Sequence, residues 1–567
     1  MTGMVQAGES DDANSVPHDD APASVEHPWW ALTALLVGLS IIIIDGSVVN
    51  VLLPDMVDDL GLTQTGAQWV NSIYSLVFAS LLITVGLLSD RFGRRRLFLI
   101  GIAVFMAASL GSALSQSSGM LIGFRAVQAL GASMMLPSSI AVINVLFTGR
   151  RRAEAFGFWG AVFGGAAALG PLLGGFLAEE FSWRWAFLIN VPIGIAAFIA
   201  VRYLVPETKG PEVKGFDPFG IFLSAAGLGL IVWGLIEGQD YGWWSAIDDF
   251  SLGPVTFSTG GISPVPVALA VGALMLLALV CWEASRSHRR KPALVDLELF
   301  KIRRYGFGNI VALVVSLGEF GILFVLPLWI QSVHGYDSLV TGAILATLAV
   351  GTLSAGGAAR HVSAAIGATN VVRVGMALEV VSILGIGWTL SASRSPWWLA
   401  IPLVVYGLGV GFATAQLTNV VLEDVPGEKS GQASAMTSTF RQVGSALGAA
   451  CLGAILFSAL GTQLSDSLES EKDLTEDQRN RITQMVRSTA GQAIVQLDEV
   501  PALAPEADDA RDAYTTAARD TSFVAAGFVF LGLLVSFGLP PSARMDDEEE
   551  EPGSDAADSE STHELSA

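Results

Sequence analysis

The strongest constraint on this chain is a series of apolar runs, each about twenty residues long, separated by shorter polar turns. A run of this length crosses the hydrocarbon core of a bilayer as one α-helix. Charged residues make up only 15% of the chain, which argues against a set of soluble domains. The sequence therefore predicts an all-α polytopic membrane protein. We count about fourteen spans, at residues 29–51, 67–88, 97–114, 120–147, 156–178, 185–203, 219–236, 264–282, 307–330, 339–357, 371–390, 397–417, 437–460 and 523–539.

Lys and Arg are concentrated in alternate turns between these spans. They lie at 91–96, 150–152, 209–214, 286–304, 360 and 429, whereas the intervening turns hold little beyond Arg184 and Arg394. Short basic loops remain in the cytoplasm, so this asymmetry predicts a multi-pass protein of the plasma membrane with both termini cytoplasmic. Long loops escape this rule, and segment 463–521, with its mixed charge and a helical pattern at 476–486, is therefore expected to be an external loop.

The net charge of −22 says little about a ligand, because much of it lies in polar segments. Acidic residues are dense at the start of the chain, within 465–520 and at the end, which predicts solvated tails and a loop. The N-terminal segment lacks a basic n-region and a cleavage site, so we expect no signal peptide to be removed. Cys281 and Cys451 each lie inside an apolar run, which predicts core residues and not a disulfide or a metal pair.

An arginine-rich turn separates the second and third spans. Gly93 permits the reversal of the chain, and Asp90 lies among the cations just past an apolar helix end. A carboxylate there can pair with Arg or accept hydrogen bonds from a helix N-terminus, so one interpretation is a latch that holds one of two shapes. The other interpretation is a turn that only fixes orientation. The latch residues would be Gly86, Asp90, Arg91, Gly93, Arg94 and Arg95.

The second half of the chain contains a faint repeat of this turn at 357–369. Aligning Gly367 with Gly93 places Ala364 where Asp90 stands, so any latch chemistry is absent from the repeat. Repeated bundles with a site between them are a common plan of transporters.

Several ionisable residues lie inside predicted spans, where a charge is costly and usually faces a cavity, a partner or a proton path. Asp45 lies in the outer part of the first span, and Arg125 lies at a similar depth in the fourth, so the two would pair if these helices are neighbours. Glu319 lies near the middle of its span, and Glu379 lies about 12 Å from the cytoplasmic end of another. The alternatives are an interfacial Asp45, an Arg125 that reaches the headgroups, and protonated Glu side chains bonded to backbone.

The fifth span carries a face of small residues. Gly170, Pro171, Gly174 and Gly175 would let two helices approach closely, and Pro171 would bend the helix. Close packing there suits a gate between two halves, although ordinary helix packing explains the glycines equally well. The following run, 183–192, has aromatic residues that suit an anchor at the interface.

Motifs of soluble enzymes are absent from the sequence. It contains no Gly-x-x-x-x-Gly-Lys-Ser/Thr loop for ATP phosphates, no His-Glu-x-x-His and no Cys-x-x-Cys. We therefore expect a protein that is not an enzyme and that uses no cofactor, no metal and no ATP.

Read in order over roughly 29–460, the motifs resemble those of the fourteen-helix drug/proton antiporter branch of the major facilitator superfamily. The loop motif matches at the six latch residues, and the first-span motif at Asp45, Val49, Asn50 and Pro54, with Ser47 and Leu52 departing from it. The fourth-span motif matches at Arg125, Gln128 and Gly131, with Ala129 in place of its usual Gly. The fifth-span antiporter motif matches at Gly170, Pro171, Gly174 and Gly175, with Ala166 at its leading Gly.

The resemblance implies two six-helix bundles with two extra helices between them. The domains would be an acidic tail at 1–28, a first bundle at 29–204, a linker with two spans at 205–305, a second bundle at 306–540 that includes the external loop, and an acidic tail at 541–567. It also implies rocking between inward-open and outward-open shapes, with Arg125 as a proton-coupling residue and the Asp90 turn as a latch.

The expected function is proton-coupled efflux of amphipathic, often cationic small molecules. Such a compound would rest against apolar side chains and one of Asp45, Glu319 or Glu379, until a proton from outside displaces it. The partners would be the small molecule, protons and membrane lipid, and not nucleic acid. The alternatives are a proton-coupled importer or exporter of one metabolite or antibiotic, and a transporter-derived sensor or scaffold whose segment 463–521 binds a partner.

Overall fold

Long α-helices dominate the computed structural model, which describes residues 27–147, 149–209, 217–247, 250–252, 255–257, 261–289, 297–426, 429–469, 474–498, 500 and 503–542. The first half contains helices α1 Pro28–Leu60, α2 Gln64–Phe92, α3 Arg94–Ala113, α4 Ser118–Leu146, α5 Gly149–Glu180, α6 Arg184–Leu188 and α7 Asn190–Leu204. Two inserted helices follow, α8 Pro218–Tyr241 and α9 Pro264–His288, with an antiparallel pair of short strands between them, β1 Phe250–Leu252 and β2 Val255–Phe257.

The second half repeats this arrangement and adds short helices near its end. It contains α10 Arg303–His334, α11 Ser338–Ile366, α12 Ala368–Thr389, α13 Ala400–Leu422, α14 Ser430–Glu469, α15 Glu476–Ser488, α16 Ala493–Asp498 and α17 Ala504–Ser536. Single turns of 3₁₀-helix at Leu299–Lys301 and Pro396–Leu399 precede α10 and α13.

The predicted spans all fall on helices, with ends shifted by a few residues or more. Within the described residues, twelve helical segments are long and apolar enough to cross a membrane. Helices α2 and α5, which carry the predicted spans 67–88 and 156–178, are not among the twelve, and several of their side chains lie outside the described residues. The all-helical membrane architecture is therefore confirmed, and the count of fourteen stays a prediction.

Local sequence explains where many helices begin and end. Side chains of Thr63, Ser117, Asp217, Ser263 and Asp337 accept a hydrogen bond from a backbone N–H in the first turn of α2, α4, α8, α9 and α11. Such caps satisfy amide groups that have no partner inside the helix. Glycines in the left-handed region, Gly61 and Gly335, end α1 and α10.

The internal repeat is visible in the backbone. Gly93 separates α2 from α3, and Gly367 separates α11 from α12, each as a single residue with φ of +111° and +82°. Helix pairs correspond as well, because α3 packs on α4 as α12 packs on α13, and α1 packs on α5 as α10 packs on α14. The sixth position of each half is filled by α6–α7 and by α17, respectively. The chain therefore forms two related helical bundles.

The two bundles meet through α5 with α11 and through α2 with α14. We name the end of the molecule that carries the turns at Gly93 and Gly367 the arginine end, and the other the cap end. Toward the cap end, the Gln331 amide donates to the Val51 carbonyl at 2.9 Å, and Ser338 donates to the Asp55 carboxylate. Farther from that end, the hydroxyl oxygens of Ser75 and Ser445 lie 3.0 Å apart.

The hydrophobic core follows the same division. One large cluster contains side chains of both bundles toward the cap end, including Leu53, Phe324 and Leu328. Toward the arginine end each bundle has its own cluster, the first around Phe98 and the second around Tyr305. Among the described residues, the bundles are therefore closed together at the cap end and have separate cores at the arginine end.

The inserted helices lie to one side of the bundle interface. Helix α8 packs against both α2 and α14, and the Trp69 indole donates to Glu237 while Thr65 donates to Asp240, each at 2.9 Å. Helix α9 packs mainly on α8, and most of its surface is exposed. The prediction that Cys281 is a core residue is therefore wrong, because its side chain points outward from α9, whereas Cys451 on α14 is partly buried.

The described part of the predicted external segment 463–521 is largely helical, and the helical pattern expected at 476–486 is confirmed as α15. Helix α14 continues to Glu469 and α17 begins at Ala504, so the last span starts well before residue 523. Between them, residues 474–498 form a structure that we name the cap, which buries Ile482, Val486 and Ile494. The apolar-run criterion missed these helices because they carry charged residues on their outer faces. Asp498 of the cap also forms an ion pair with Arg511 of α17 at 2.7 Å. The hydrogen bond that Arg511 donates lowers the pKa of the Asp498 carboxyl.

Candidate functional site

A buried ion pair lies at the centre of the first bundle. Asp45, midway along α1, is 2% exposed, and Arg125 on α4 is 1% exposed. The Arg125 guanidinium contacts the Asp45 carboxylate directly. The structure therefore brings together two residues that the sequence placed at similar depth. It does not show an interfacial Asp45 or an Arg125 that reaches toward headgroups.

Two amide side chains complete the surroundings of Asp45. Gln128 and Asn190 each donate to Asp45 Oδ1 at 3.0 Å, while Arg125 occupies Oδ2. The same two amides also reach the Ser109 hydroxyl, at 2.8 and 3.3 Å. Four helices thus contribute to one polar cluster, and the carboxylate has a donor on each oxygen. Such complete pairing is what makes a buried charge tolerable.

Aromatic rings enclose the guanidinium. The Arg125 Cζ atom lies 4.5 Å from the centre of the Tyr74 ring and 5.9 Å from that of Phe187. A ring face attracts a cation and excludes water at the same time, which strengthens the pair with Asp45. The cluster of Asp45, Arg125, Gln128, Asn190 and Ser109 is named the N-half cluster below.

Asn190 was missed by the sequence interpretation, which gave run 183–192 an anchoring role. The residue begins α7, after Ile189 separates that helix from α6. This break directs Asn190 into the bundle, where it is 1% exposed. An amide inside an apolar run was the available signal, but neutral polar residues are common at such depths.

A second group of ionisable residues lies in the second bundle. Glu379 on α12 is completely buried, and neither carboxyl oxygen has a hydrogen-bond partner among the described residues. Glu319 on α10 is partly exposed. Both carboxyl groups lie within electrostatic range of Arg441 on α14, and the buried Tyr406 hydroxyl lies within range of both. We name Glu319, Glu379, Tyr406 and Arg441 the C-half cluster.

The two clusters differ in how their charges are satisfied. The N-half cluster has one carboxylate and one guanidinium in direct contact, whereas the C-half cluster has two carboxyl groups and one guanidinium that form no ion pair among the described residues. Gly409 packs directly against the Glu379 side chain. The sequence interpretation missed Arg441, although a charged residue four positions into span 437–460 was a usable signal. It also missed Tyr406.

The arginine-rich turn is attached to its own bundle. Arg94 donates to the Ala141 carbonyl at 3.2 Å, and Arg95 donates to the Val205 carbonyl at 3.0 Å. The Glu207 carboxylate accepts from the backbone N–H of Arg95 at 3.1 Å, where it caps the start of α3. Gly93 lies directly against Glu207. Arg94 and Arg95 thus hold the turn to α4 and to the chain after α7.

Two of the remaining latch residues, Gly86 and Arg91, have described side chains or neighbours. Gly86 packs near Pro137 of α4, and the Arg91 side chain is exposed. The side chain of Asp90 lies outside the described residues. The structure therefore gives Arg94 and Arg95 contacts within one bundle and leaves Arg91 exposed at the arginine end.

The small-residue face of α5 lies between the two bundles. Gly170 and Gly174 pack against Ser47 and Val48 of α1, and Gly175 packs against the backbone of Ser338 at the start of α11. Gly342 of α11 in turn lies against the Pro171 carbonyl. A side chain at Gly175 would collide with that backbone, so this close approach requires glycine.

Three relatives show what kind of protein this chain resembles. An uncharacterized MFS-type transporter of Mycobacterium tuberculosis is 32% identical over 78% of this chain and 73% of its own length. A probable actinorhodin transporter of Streptomyces coelicolor is 31% identical over 80% and 77%. The multidrug efflux pump LfrA of Mycolicibacterium smegmatis is 29% identical over 91% and 98%.

A solved structure supports the fold. A bacterial homologue of the human lysosomal transporter Spinster, in an inward-facing and unoccupied conformation, matches with a TM-score of 0.58 and 15% identity over 91% of this chain and 98% of that chain. The sequence profile described as Major Facilitator Superfamily matches residues 35–449. This chain belongs to the major facilitator superfamily of membrane transporters, and its relatives there include multidrug efflux pumps and antibiotic exporters.

Proposed function

We propose that the protein exports amphipathic, often cationic small molecules across the plasma membrane in exchange for protons, by alternating access. The observation that carries this proposal is the C-half cluster, in which two carboxyl groups lie at membrane depth and Glu379 has no hydrogen-bond partner among the described residues. An uncompensated carboxylate is costly at that depth, so the group favours a bound proton or a bound cation. That property is what an exchanger of cations for protons needs.

The orientation and domains are part of the proposal. The arginine end faces the cytoplasm, both termini are cytoplasmic, and the bundles correspond to residues 29–204 and 306–540, with a linker at 205–305. The basic turns at that end support this orientation. With this assignment, the structure described above is closed on the outside and has separate bundle cores on the cytoplasmic side.

In the proposed cycle, a cationic amphiphile enters from the cytoplasm or the inner leaflet. It rests against apolar side chains and shares the negative charge of Glu319 or Glu379 with Arg441. The bundles then rock about the contacts of α5 with α11 and α2 with α14, and the site faces outward. A proton from outside neutralises the carboxylate and releases the compound. Each charge that moves down 100 mV supplies about 2.3 kcal/mol, which a pH gradient supplements.

The N-half cluster has a different part in this proposal. Asp45 already has a donor on each oxygen, and one of these donors is the Arg125 guanidinium. A proton or a cationic ligand must compete with Arg125 for it, and that competition links ligand binding to the packing of α1 and α4. The arginine-rich turn is proposed to latch the other, outward-open shape through Asp90 and Arg91, whereas Arg94 and Arg95 keep the turn on its bundle.

Inside-out membrane vesicles test the proposal. A fluorescent lipophilic cation is expected to accumulate when a pH gradient is imposed, and to leak out when the gradient is collapsed. Glu319→Gln and Glu379→Gln should abolish this response, while protein levels and thermal unfolding show that each variant is folded. Accumulation that survives both substitutions, or that ignores the pH gradient, contradicts proton exchange at the C-half cluster.

Export of a single compound is favoured by one relative, which is described as a probable actinorhodin transporter. The protein would then export a single antibiotic or metabolite by the same mechanism. A panel of antibiotics and dyes in a host that lacks its own pumps separates the two. Tolerance to many unrelated cations supports broad export, and tolerance to one compound supports the narrower function.

A further inference from the structure

A groove of about 830 Å³ lies away from both charged clusters, between α8 and the cap-end half of α14. Leu235 and Trp243 form the wall on the inserted side, and Cys451 and Ile455 lie on the wall of α14. Phe457 of the same helix packs on Phe324, with ring centres 6.4 Å apart, so this part of α14 is level with the second half of α10. The groove therefore begins at membrane depth and continues toward the cap end.

Polar residues follow α14 along this groove at intervals of one helical turn. Ser458, Thr462 and Asp466 are four residues apart, so they lie on one face of the helix, and all three are exposed and line the groove. A polar stripe on the outside of a membrane helix is unfavourable against acyl chains. Helix α8 lies beside this stripe and contributes Leu235 to the opposite wall of the groove.

The chemistry of the groove changes along its length. Its deeper part is formed by Leu235, Ile455 and Cys451, whereas Asp466 lies near its outer end. No hydrogen bond or ion pair joins Asp466 to another residue in the part of the chain that the structure describes. The Trp243 indole adds a ring face that attracts cations. A pocket of a few hundred Å³ or more, apolar with few polar groups, is typical of small-molecule sites.

We propose that this groove binds a cationic amphiphile, with its apolar part between Leu235 and Ile455 and its charged head at Asp466. The order of apolar and acidic residues matches the order of tail and head in such a molecule. The site would be separate from the C-half cluster, and it depends on the inserted helix α8. The proposal concerns binding in the groove alone, so it can be tested independently of proton exchange.

The two native cysteines allow a direct test in phosphatidylcholine nanodiscs. In Cys281→Ser, only Cys451 remains, and its alkylation by N-ethylmaleimide reports access to the groove. Hexadecyltrimethylammonium at low molar ratio to lipid is expected to slow this reaction about fivefold or more, whereas hexadecanol and hexadecyl sulfate should have little effect. In Cys451→Ser, alkylation of the outward-facing Cys281 reports general effects on the membrane and should not slow.

The role of Asp466 has a matched control on the same helix. Asp466→Asn should weaken protection by the cation about two- to fivefold, as expected for one lost charge pair at an exposed site. Glu469→Gln removes an exposed charge three residues further along, outside the groove lining, and should change nothing. Three results would each overturn the proposal. Hexadecanol protects Cys451 as well as the cation does, protection is unchanged in Asp466→Asn, or neither Cys451 nor the thiol introduced by Ser458→Cys reacts with N-ethylmaleimide.

Discussion

Two buried carboxyl groups in this protein have opposite environments. Asp45 accepts from Arg125, Gln128 and Asn190, whereas Glu379 has no partner among the described residues. A fully paired buried ion pair is neutral or mildly costly as a unit, but removing one partner leaves an uncompensated charge. An unsatisfied buried group, in contrast, destabilises the fold for as long as it is present. Substitutions at the two positions should therefore have opposite effects on stability.

We expect Asp45→Asn to destabilise the protein by about 3–5 kcal/mol, because the Arg125 charge would remain buried without its partner. The double variant Asp45→Asn/Arg125→Met should recover most of that loss, since it removes both charges. Thermal unfolding in detergent measures both. A double variant no more stable than Asp45→Asn would show that the pair does not act as a unit.

Glu379→Met should stabilise the fold by about 1–3 kcal/mol and abolish transport that depends on the pH gradient. The side chain is of similar length and needs no hydrogen bond. Glu379→Gln serves as the control, because it keeps polar atoms in the same place and should gain no stability. If Glu379→Met unfolds at a lower temperature than Glu379→Gln, Glu379 has a partner that this structure does not show.

The sequence identified Asp45, Arg125, Glu319 and Glu379 because an ionisable residue in an apolar run is conspicuous. It missed Asn190, Gln128 as a ligand of Asp45 and Tyr406, because the partners of a side chain depend on which helices are neighbours. Run length predicted the helices well, and the turn at Gly93 predicted its repeat at Gly367. The helical pattern at 476–486 predicted α15. The short helix α16 and the packing of the cap onto α14 and α17 were not predicted, since both depend on which helices are neighbours.

At the scale of helices, α5 carries the closest contact between the bundles. Gly175 and Gly342 lie against opposing backbone at Ser338 and Pro171. Backbone cannot move aside as a flexible side chain can, so an added methyl group must separate the helices. This crossing lies at the cap end, where the two bundles share a hydrophobic core.

Gly175→Ala should therefore shift the protein toward a shape that is open at the cap end. Overpacking costs about 1–3 kcal/mol, which is enough to shift this equilibrium about tenfold. A thiol between α2 and α14, introduced as Ser75→Cys in a protein without the native cysteines, should therefore react about tenfold faster with maleimide. Gly356→Ala on α11 is the matched control, because nothing lies within 4 Å of the added carbon. Similar labelling rates in the two variants would exclude a steric role for Gly175.

The cap is attached through apolar residues on one side of α15. Val486→Asp places a charge at a completely buried position, and we expect α15 to detach from the bundle. Trypsin should then cleave after Arg481 much faster than in the unsubstituted protein. Met485→Asp, at the neighbouring position with 41% exposure, should leave the cleavage rate unchanged. Equal rates for both variants would mean that packing of α15 does not hold the cap.

At the scale of the whole molecule, the interface between α2 of the first bundle and α14 of the second should open during each transport cycle. The hydroxyl oxygens of Ser75 and Ser445 lie 3.0 Å apart across it, which a disulfide can bridge with a small adjustment. Ser75→Cys/Ser445→Cys, with both native cysteines changed to Ser, is expected to cross-link on oxidation and to stop transport.

Addition of a reductant should restore transport in that variant. Each single cysteine variant should remain active under oxidising conditions. Full transport by the cross-linked protein would show that α2 and α14 do not separate at this level, and that the rocking motion uses other contacts.

The cap packs on α10, α14 and α17, all of which belong to the second bundle. It therefore gives the second of two related bundles a feature that the first bundle lacks among the described residues. In electron micrographs of single particles in detergent micelles, such a feature allows the two bundles to be told apart. An antibody fragment raised against the cap would make that marker larger, and its tilt relative to the first bundle would record the conformational state of each particle.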